Sequence, residues 1–245
     1  MGAPERVLIL GGTADARELA TFLVAEGYDV TSSLAGRTRD PALPAGRIRI
    51  GPFGGVNGLV DYVRSERIHV IVDATHPFAE QISRHAATAA NECGIACMRL
   101  ERPGWLPGPE DRWLVARTSE EAARRLPDGA SVLLTIGKKE LGTFLARSDL
   151  HGIVRTIEAP DHPLPERWRL IRARPPFDVA DEMRLMRDGG IEWLVTKNAG
   201  GRGTESKLEA ARHCGIGVVM IERPAKPPLP AADTPTGILH LIRMA

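Results

Sequence analysis

The chain has 245 residues, of which 43% are hydrophobic and 4% aromatic, and its formal net charge at pH 7 is +1. The near-zero charge excludes a global field that would attract nucleic acid or an anionic membrane, and the scarcity of aromatic side chains argues against a base-stacking surface. No apolar run approaches the ~20 residues of a membrane span, and the first strand begins too early to follow a signal peptide, so we expect a cytoplasmic protein.

The first predicted elements are a strand and a helix joined by a glycine turn. The apolar run that follows Arg6 ends in Gly11, Gly12 and Thr13, and a helical pattern of apolar residues comes directly after it. Backbone N–H groups and the helix dipole can hold a phosphate at such a turn, because glycines let the anion approach and Thr13 can cap the helix. Arg17 lies about one helical turn further on and can reach a pyrophosphate. We therefore predict a nucleotide site, with a plain strand–helix turn as the alternative.

The second predicted strand ends in hydroxyl and guanidinium groups rather than in an acidic residue. After Val30 the sequence has Ser32, Ser33 and Arg37, and no acid occurs before Asp40. NAD-specific folds place an acid there to bind the ribose 2′-hydroxyl, whereas an arginine beside hydroxyl groups suits a 2′-phosphate. We therefore expect NADPH as the cofactor, with Ser33 and Arg37 in its site. The alternative for Arg37 is a solvated surface arginine.

A polar cluster follows a third apolar strand in the first half. Asp73, Thr75 and His76 precede Pro77, which is typical of the first position of a helix. The three side chains therefore project from the carboxyl end of a strand beside the nucleotide turn, where parallel-sheet proteins bind ligands. We predict that Asp73 and Thr75 contact the cofactor and that His76 is catalytic, with a structural histidine as the alternative.

The chain contains a weak internal repeat at a spacing of about 121 residues. Residues 89–103 resemble residues 210–224, and both segments end in Glu-Arg-Pro. In each half, apolar strands alternate with helical patterns, which predicts a parallel sheet with helices on both faces. We therefore expect an α/β fold of two Rossmann-like, doubly wound domains, residues 1–110 and 111–245. Their strand ends are expected to form an interdomain cleft.

The strand ends of the second half carry cations and glycines. The candidate ligand-binding residues are Lys138, Lys139, Lys197, Asn198, Gly200, Gly201, Arg202 and Lys207. In the repeat, Lys197 falls opposite His76. Cations with close backbone approach suit a ligand rich in carboxylates or phosphates, and the alternative is a loop with solvated lysines. The three cysteines lack zinc spacing and no acidic residue is placed to bind a metal here, so no metal is expected.

With these motifs the chain resembles the precorrin-6A reductase family of cobalamin biosynthesis. The resemblance runs nearly end to end and includes LILGGTADAR, SLAGRT, DATHPFA, LLTIGKKEL and VTKNAGG. The combination of DATHPFA with the KNAGG loop is its specific part. Ala199 stands where the family pattern favours serine.

The resemblance implies an NADPH-dependent oxidoreductase that reduces the C18–C19 double bond of precorrin-6A to give precorrin-6B. It also implies NADPH on the first domain and the tetrapyrrole between the domains, with the cations of the second half meeting the acetate and propionate groups of the macrocycle. His76 and Lys197 are then candidates for proton supply or for an electrostatic effect on an iminium of the substrate. The alternatives are a two-domain tetrapyrrole synthase without nicotinamide and an NADP-binding regulator. Neighbouring enzymes of the pathway are candidate partners.

Overall fold

A computed structural model describes residues 5–36 and 43–245. The chain forms two compact units. The first contains the chain up to Pro103 and again Pro224–Ala245, and the second is Gly104–Arg223. Within the described ranges, no helix is long and apolar enough to cross a membrane.

The first unit is a parallel sheet covered by helices. Its strands are β1 (Arg6–Leu10), β2 (Asp29–Leu34), β3 (Arg47–Ile50), β4 (Val70–Asp73), β5 (Ala96–Leu100) and β12 (Ala231–Ala232). Its helices are α1 (Ala14–Ala25), α2 (Val56–Ser65), α3 (Glu80–Cys93) and α8 (Pro235–Met244). The strands lie in the order β12-β5-β4-β1-β2-β3.

Helices cover both faces of this sheet, so the apolar residues of its central strand β1 are buried on both sides. Side chains alternate between the two faces of a strand. In β1, Val7 and Ile9 pack in a core with α1 and α8, whereas Leu8 and Leu10 pack in a second core with α2 and α3. A strand buried on both faces is typical of a parallel sheet and explains the uninterrupted apolar run at the start of the chain.

The second unit repeats this architecture. Its strands are β6 (Trp113–Ala116), β7 (Ser131–Thr135), β8 (His151–Thr156), β9 (Trp168–Arg172), β10 (Trp193–Lys197) and β11 (Gly217–Ile221). Its helices are α4 (Ser119–Arg125), α5 (Leu141–Leu145), α6 (Val179–Asp188) and α7 (Ser206–His213). The strands are parallel and lie in the order β6-β11-β10-β7-β8-β9.

Each sheet has one point at which the chain reverses its direction across the sheet. In the first unit the chain runs β1-β2-β3 to one side and resumes with β4 and β5 on the other. The second unit does the same with β7-β8-β9 and then β10 and β11. This is the doubly wound order of Rossmann-like folds, and the predicted fold class is confirmed. Ligands bind beyond the carboxyl ends of the strands at such a reversal, which lies between β1 and β4 and between β7 and β10.

The division at residue 110 is corrected by the structure. The chain enters the second unit after Pro103, and β6 pairs with β11 of that unit. The segment from Pro224 onwards, expected in the second domain, returns to the first unit, where β12 pairs with β5 and Ile238 of α8 joins the core. The strand that follows each Glu-Arg-Pro motif therefore extends the sheet of the other unit.

Candidate active site

The glycine turn of the first unit is fixed by hydrogen bonds to the two neighbouring strands. The Thr13 hydroxyl accepts a hydrogen bond from Ala16 N at 3.0 Å, which caps α1, and donates one to Ala74 O at 2.9 Å. Gly11 N donates to Ser33 O at 3.0 Å. The turn is therefore tied to β2 and to the end of β4, on both sides of β1.

The same turn presents unused donors at a helix N-terminus. Among the described residues, none accepts a hydrogen bond from the backbone N–H groups of Gly12 or Thr13. Gly12 has φ of +110°, and a Cβ built there would meet no atom within 4 Å, so the turn is open. Arg17 donates to Thr13 O at 3.2 Å. Open N–H groups with a guanidinium beside them at a helix start fit a pyrophosphate.

A carboxylate in the first turn of α1 is neutralised. Asp15 would repel a bound phosphate, but Arg102 donates to its carboxylate at 2.5 Å. Arg102 belongs to the Glu-Arg-Pro motif that follows β5. The sequence motif thus has a structural role at the nucleotide turn, which sequence reasoning did not find.

Asp73 lies beneath the polar cluster and not on its surface. Its side chain is fully buried, with Arg99 Nε at 3.3 Å and Lys226 Nζ at 4.0 Å, and Thr75 Oγ1 donates to it at 2.6 Å. Burial raises its pKa, but hydrogen bonds from Ser83 and Thr75 and the charge of Lys226 outweigh this effect and leave the pKa below its usual value. We therefore revise its predicted contact with the cofactor: the buried carboxylate positions the loop that carries Thr75.

His76 is exposed at the carboxyl end of β4. Its Nδ1 accepts a hydrogen bond from Phe78 N at 3.2 Å, and its ring centroid is 5.8 Å from that of Phe78. When Nδ1 accepts, the proton of a neutral imidazole is on Nε2. The ring is therefore oriented to donate from Nε2.

In the second unit, Lys197 at the end of β10 is paired with an acid that the sequence analysis overlooked. Its Nζ donates to Glu140 Oε1 at 2.6 Å, and its side chain is 15% exposed. Glu140 follows Lys138 and Lys139 directly after β7. Because β7 and β10 are neighbours at the point of reversal, an acid shortly after β7 could have been predicted to pair with Lys197 at the end of β10.

The glycine-rich loop after β10 is held by Asn198, which was expected to bind ligand, and by Arg223. The Asn198 amide accepts from Trp105 N at 2.8 Å and donates to Trp105 O at 3.0 Å. Arg223 donates to Asn198 O at 2.8 Å and to Ala199 O at 3.1 Å. Gly200 and Gly201 have φ of 68° and 81°, a region that favours glycine. Asn198 thus fixes the loop, because the oxygen and the nitrogen of its side-chain amide both bond to backbone atoms of Trp105.

Lys207 is another supporting residue rather than a surface cation. It is 5% exposed, its Nζ donates to Thr204 O at 2.5 Å, and the ammonium lies 4.7 Å from the Trp105 ring centroid. The three other cations are exposed: Lys138, which pairs with Asp161 at 2.6 Å, Lys139 and Arg202. The predicted anion-binding set is therefore reduced to the exposed members together with Lys197.

Of the two residues predicted to contact the ribose end of the cofactor, the structure describes only Ser33. Ser33 is 6% exposed, and its hydroxyl lies 3.4 Å from Nη1 of Arg49 on the adjacent strand. Arg37 lies outside the described residues. Sequence reasoning missed Arg49, because its proximity to Ser33 depends on the register of β2 and β3.

This geometry is typical of an α/β enzyme, with an open glycine turn at a helix start in one unit and exposed cations at the strand ends of the other. A family model described as precorrin-6x reductase CbiJ/CobK matches residues 6–243. The precorrin-6A reductase of Rhodococcus erythropolis is 50% identical over 91% of each chain, and the cobalt-precorrin-6A reductase of Priestia megaterium is 31% identical over 89% of this chain and 90% of that one.

A solved structure described as CobK precorrin-6A reductase has a TM-score of 0.93 and 40% identity, covering 98% of this chain and 96% of that chain. The chain belongs to the precorrin-6x reductase CbiJ/CobK family, as the sequence motifs indicated. It is therefore an enzyme, an oxidoreductase of cobalamin biosynthesis.

Proposed function

We propose that this chain catalyses the NADPH-dependent reduction of precorrin-6A to precorrin-6B at the C18–C19 double bond of the macrocycle. The observation that carries the proposal is the open glycine turn at the reversal point of the first sheet, in a chain that is 50% identical to a precorrin-6A reductase. Family membership favours a reductase over the two alternatives, a synthase without nicotinamide and a regulator.

The first unit would hold the nucleotide. Gly11, Gly12 and Thr13 offer backbone N–H groups and space to the pyrophosphate, and Arg17 adds a guanidinium at the same turn. Ser33 and Arg37 belong to the ribose end of the site. When bound, NADPH supplies the hydride, and the protein's contribution is position and exclusion of water.

Reduction of a carbon–carbon double bond takes one hydride and one proton, and we assign the proton to the chain's own side chains. His76 has the more suitable geometry, because Phe78 N donates to its Nδ1, which leaves the proton of the neutral ring on Nε2, and the residue is exposed. The hydrogen bond to Glu140 holds the Lys197 ammonium group in position. From there it would stabilise negative charge on the substrate.

The second unit would bind the carboxylates of the macrocycle. Lys138, Lys139 and Arg202 are exposed near the ends of β7 and β10, where the ligand is expected. Gly200 and Gly201 allow close approach of the backbone, and Asn198 and Lys207 keep that loop in shape. These contacts suit a substrate with several acetate and propionate groups.

The names of the relatives favour the cobalt-free substrate. Five relatives named precorrin-6A reductase are 42–50% identical, whereas three named cobalt-precorrin-6A reductase are 27–31% identical. We therefore propose precorrin-6A as the substrate rather than its cobalt complex.

An anaerobic assay of NADPH oxidation tests the proposal. With precorrin-6A we expect oxidation of one NADPH per macrocycle and a product heavier by two hydrogens, and we expect slower turnover with cobalt-precorrin-6A. Nicotinamide fluorescence that responds to the protein without any turnover would support the regulator. No response to NADPH would support the synthase.

A further inference from the structure

We infer that Arg49, at the end of β3, determines the preference of the nucleotide site for a 2′-phosphate. The inference rests on the proposed NADPH dependence and deepens it by naming the residue that separates NADP from NAD. It concerns a side chain that lies outside the glycine turn and is distinct from Arg37.

Arg49 lies where the ribose end of a dinucleotide is expected. Ser33 and Arg49 are register partners in β2 and β3, and Gly11 N donates to Ser33 O at 3.0 Å. Adjacent strands are about 4.8 Å apart, so β3 lies roughly 10 Å across the sheet from the phosphate turn. In Rossmann-like folds the ribose 2′ position is recognised at the end of the second strand, and Arg49 contacts that strand end through Ser33 Oγ at 3.4 Å.

The guanidinium is fixed before any ligand binds. Nη1 donates to Gly51 O at 2.6 Å and Nη2 donates to Pro52 O at 2.8 Å, while Cζ lies 3.8 Å from the centroid of the Phe53 ring. Of the five N–H groups of an arginine, these bonds and the contact with Ser33 use three, and two remain for a phosphate. A pre-organised fork loses little conformational entropy on binding.

In the part of the chain that the structure describes, no carboxylate compensates the positive charge of Arg49. Within the described ranges, no acidic side chain lies within 4.0 Å of its guanidinium, and all three of its acceptors are neutral oxygens. Other arginines of the first unit do meet an acid: Arg99 meets Asp73, and Arg102 meets Asp15. A half-buried, uncompensated cation attracts an anion more strongly than a solvated one, because less water screens it.

Arg47 is a matched control on the same strand. It lies two residues before Arg49, so both side chains lie on the same face of β3. Arg47 pairs with Asp29 at 2.9 Å and with Glu66 at 3.6 Å, so its charge is already satisfied. A variant at Arg47 removes the same charge from the same strand without removing the proposed contact.

The experiment is a calorimetric titration of the protein with NADP⁺ and NAD⁺, which differ only in the 2′-phosphate. We expect wild type to prefer NADP⁺. Arg49→Met should weaken NADP⁺ binding by about tenfold or more and leave NAD⁺ binding within about twofold. Arg47→Met should bind both nucleotides as wild type does.

The other outcomes distinguish the two proposals. A wild type that binds neither nucleotide, or both equally, contradicts NADPH dependence itself. An Arg49→Met protein that keeps its NADP⁺ preference, while Arg37→Ala loses it, overturns the role of Arg49. If Arg49→Met also loses NAD⁺ because the Gly51 turn is disturbed, Arg49→Lys decides: with NAD⁺ binding retained, a fall in the NADP⁺ preference supports the inference and an unchanged preference overturns it.

Discussion

At the scale of single residues, Asp73 shows how a conspicuous motif residue can serve the fold beneath a site. Its buried carboxylate is paired with Arg99 and accepts a hydrogen bond from Thr75. Asp73→Asn should destabilise the protein by about 3 kcal/mol at neutral pH, because it leaves buried cations without their partner. Urea unfolding measures this, and Asp61→Asn, an exposed residue of the same unit, should stay within about 0.5 kcal/mol of wild type.

The pH dependence of that difference checks its cause. The pKa of Asp73 in the folded protein is lowered from the ordinary value of 3.8, chiefly by hydrogen bonds from Ser83 and Thr75 that outweigh the effect of burial. A lowered pKa contributes stability that is present above the unfolded value and is lost as the pH falls through the folded value. The gap between wild type and Asp73→Asn should therefore be constant from about pH 7 to pH 5 and narrow below about pH 4. A gap that narrows towards neutral pH would contradict the assignment.

Lys197 is expected to act on the substrate and not on the nucleotide. Lys197→Ala should lower kcat roughly a hundredfold and leave the Kd for NADPH nearly unchanged, because the lysine belongs to the second unit. His76→Ala should change both quantities. Steady-state kinetics together with fluorescence titration separate the two effects, and a Lys197→Ala protein with weakened NADPH binding but normal kcat would exclude the proposed role.

At the scale of elements, the arginines of the two Glu-Arg-Pro motifs hold different parts of the two units in place. Arg102 binds Asp15 at the start of α1, and Arg223 binds the carbonyls of Asn198 and Ala199. Arg223→Met should raise the KM for the macrocycle roughly tenfold and spare NADPH. Arg102→Met should do the reverse, because Asp15 is then left unneutralised beside the phosphates. Equal effects of the two variants on both ligands would show a general loss of structure instead.

The elements themselves were predictable from local patterns. The uninterrupted apolar run of β1 and the glycine turn with Thr13 need no distant partner to be recognised, and the structure confirms both. The sequence did not predict which unit the segment after Pro224 joins, because its apolar pattern would fit either sheet. Only its pairing with β5 and the packing of Ile238 decide which unit it completes.

The site was predictable as a place more than as a set of contacts. His76 and Lys197 do lie at the strand ends that bind ligands in this fold. The burial of Lys207 depends on Trp105, which is remote in sequence, and no local pattern shows that packing. Glu140 and Arg49 likewise gain their meaning from strand neighbours. Residue type and spacing therefore indicate where the candidate site lies, and tertiary pairing decides which of its polar groups remain available to a ligand.

At the scale of the whole molecule, the net charge of +1 cannot steer a polyanionic macrocycle towards the protein. The attraction must come from the exposed cations of the second unit, above all Lys139 and Arg202. Exposed charges are screened over about 8–10 Å at ordinary ionic strength, so added salt should raise the KM for the macrocycle. Added salt should weaken the binding of NADPH less, because the neutral backbone N–H groups of Gly12 and Thr13 are expected to make part of the contacts with its phosphates.

Charge reversal separates this local attraction from net charge. Lys139→Glu should raise the KM for the macrocycle roughly two- to tenfold and leave the Kd for NADPH unchanged. Arg184→Glu changes the net charge equally, on an exposed residue of α6, and should leave both constants as in wild type. Parallel salt titrations of the three proteins complete the test, because Lys139→Glu should flatten the dependence of KM on salt. If added salt instead raises the Kd for NADPH and leaves the KM for the macrocycle unchanged, the cations of the second unit act on the cofactor. The assignment of the two units to the two ligands is then wrong.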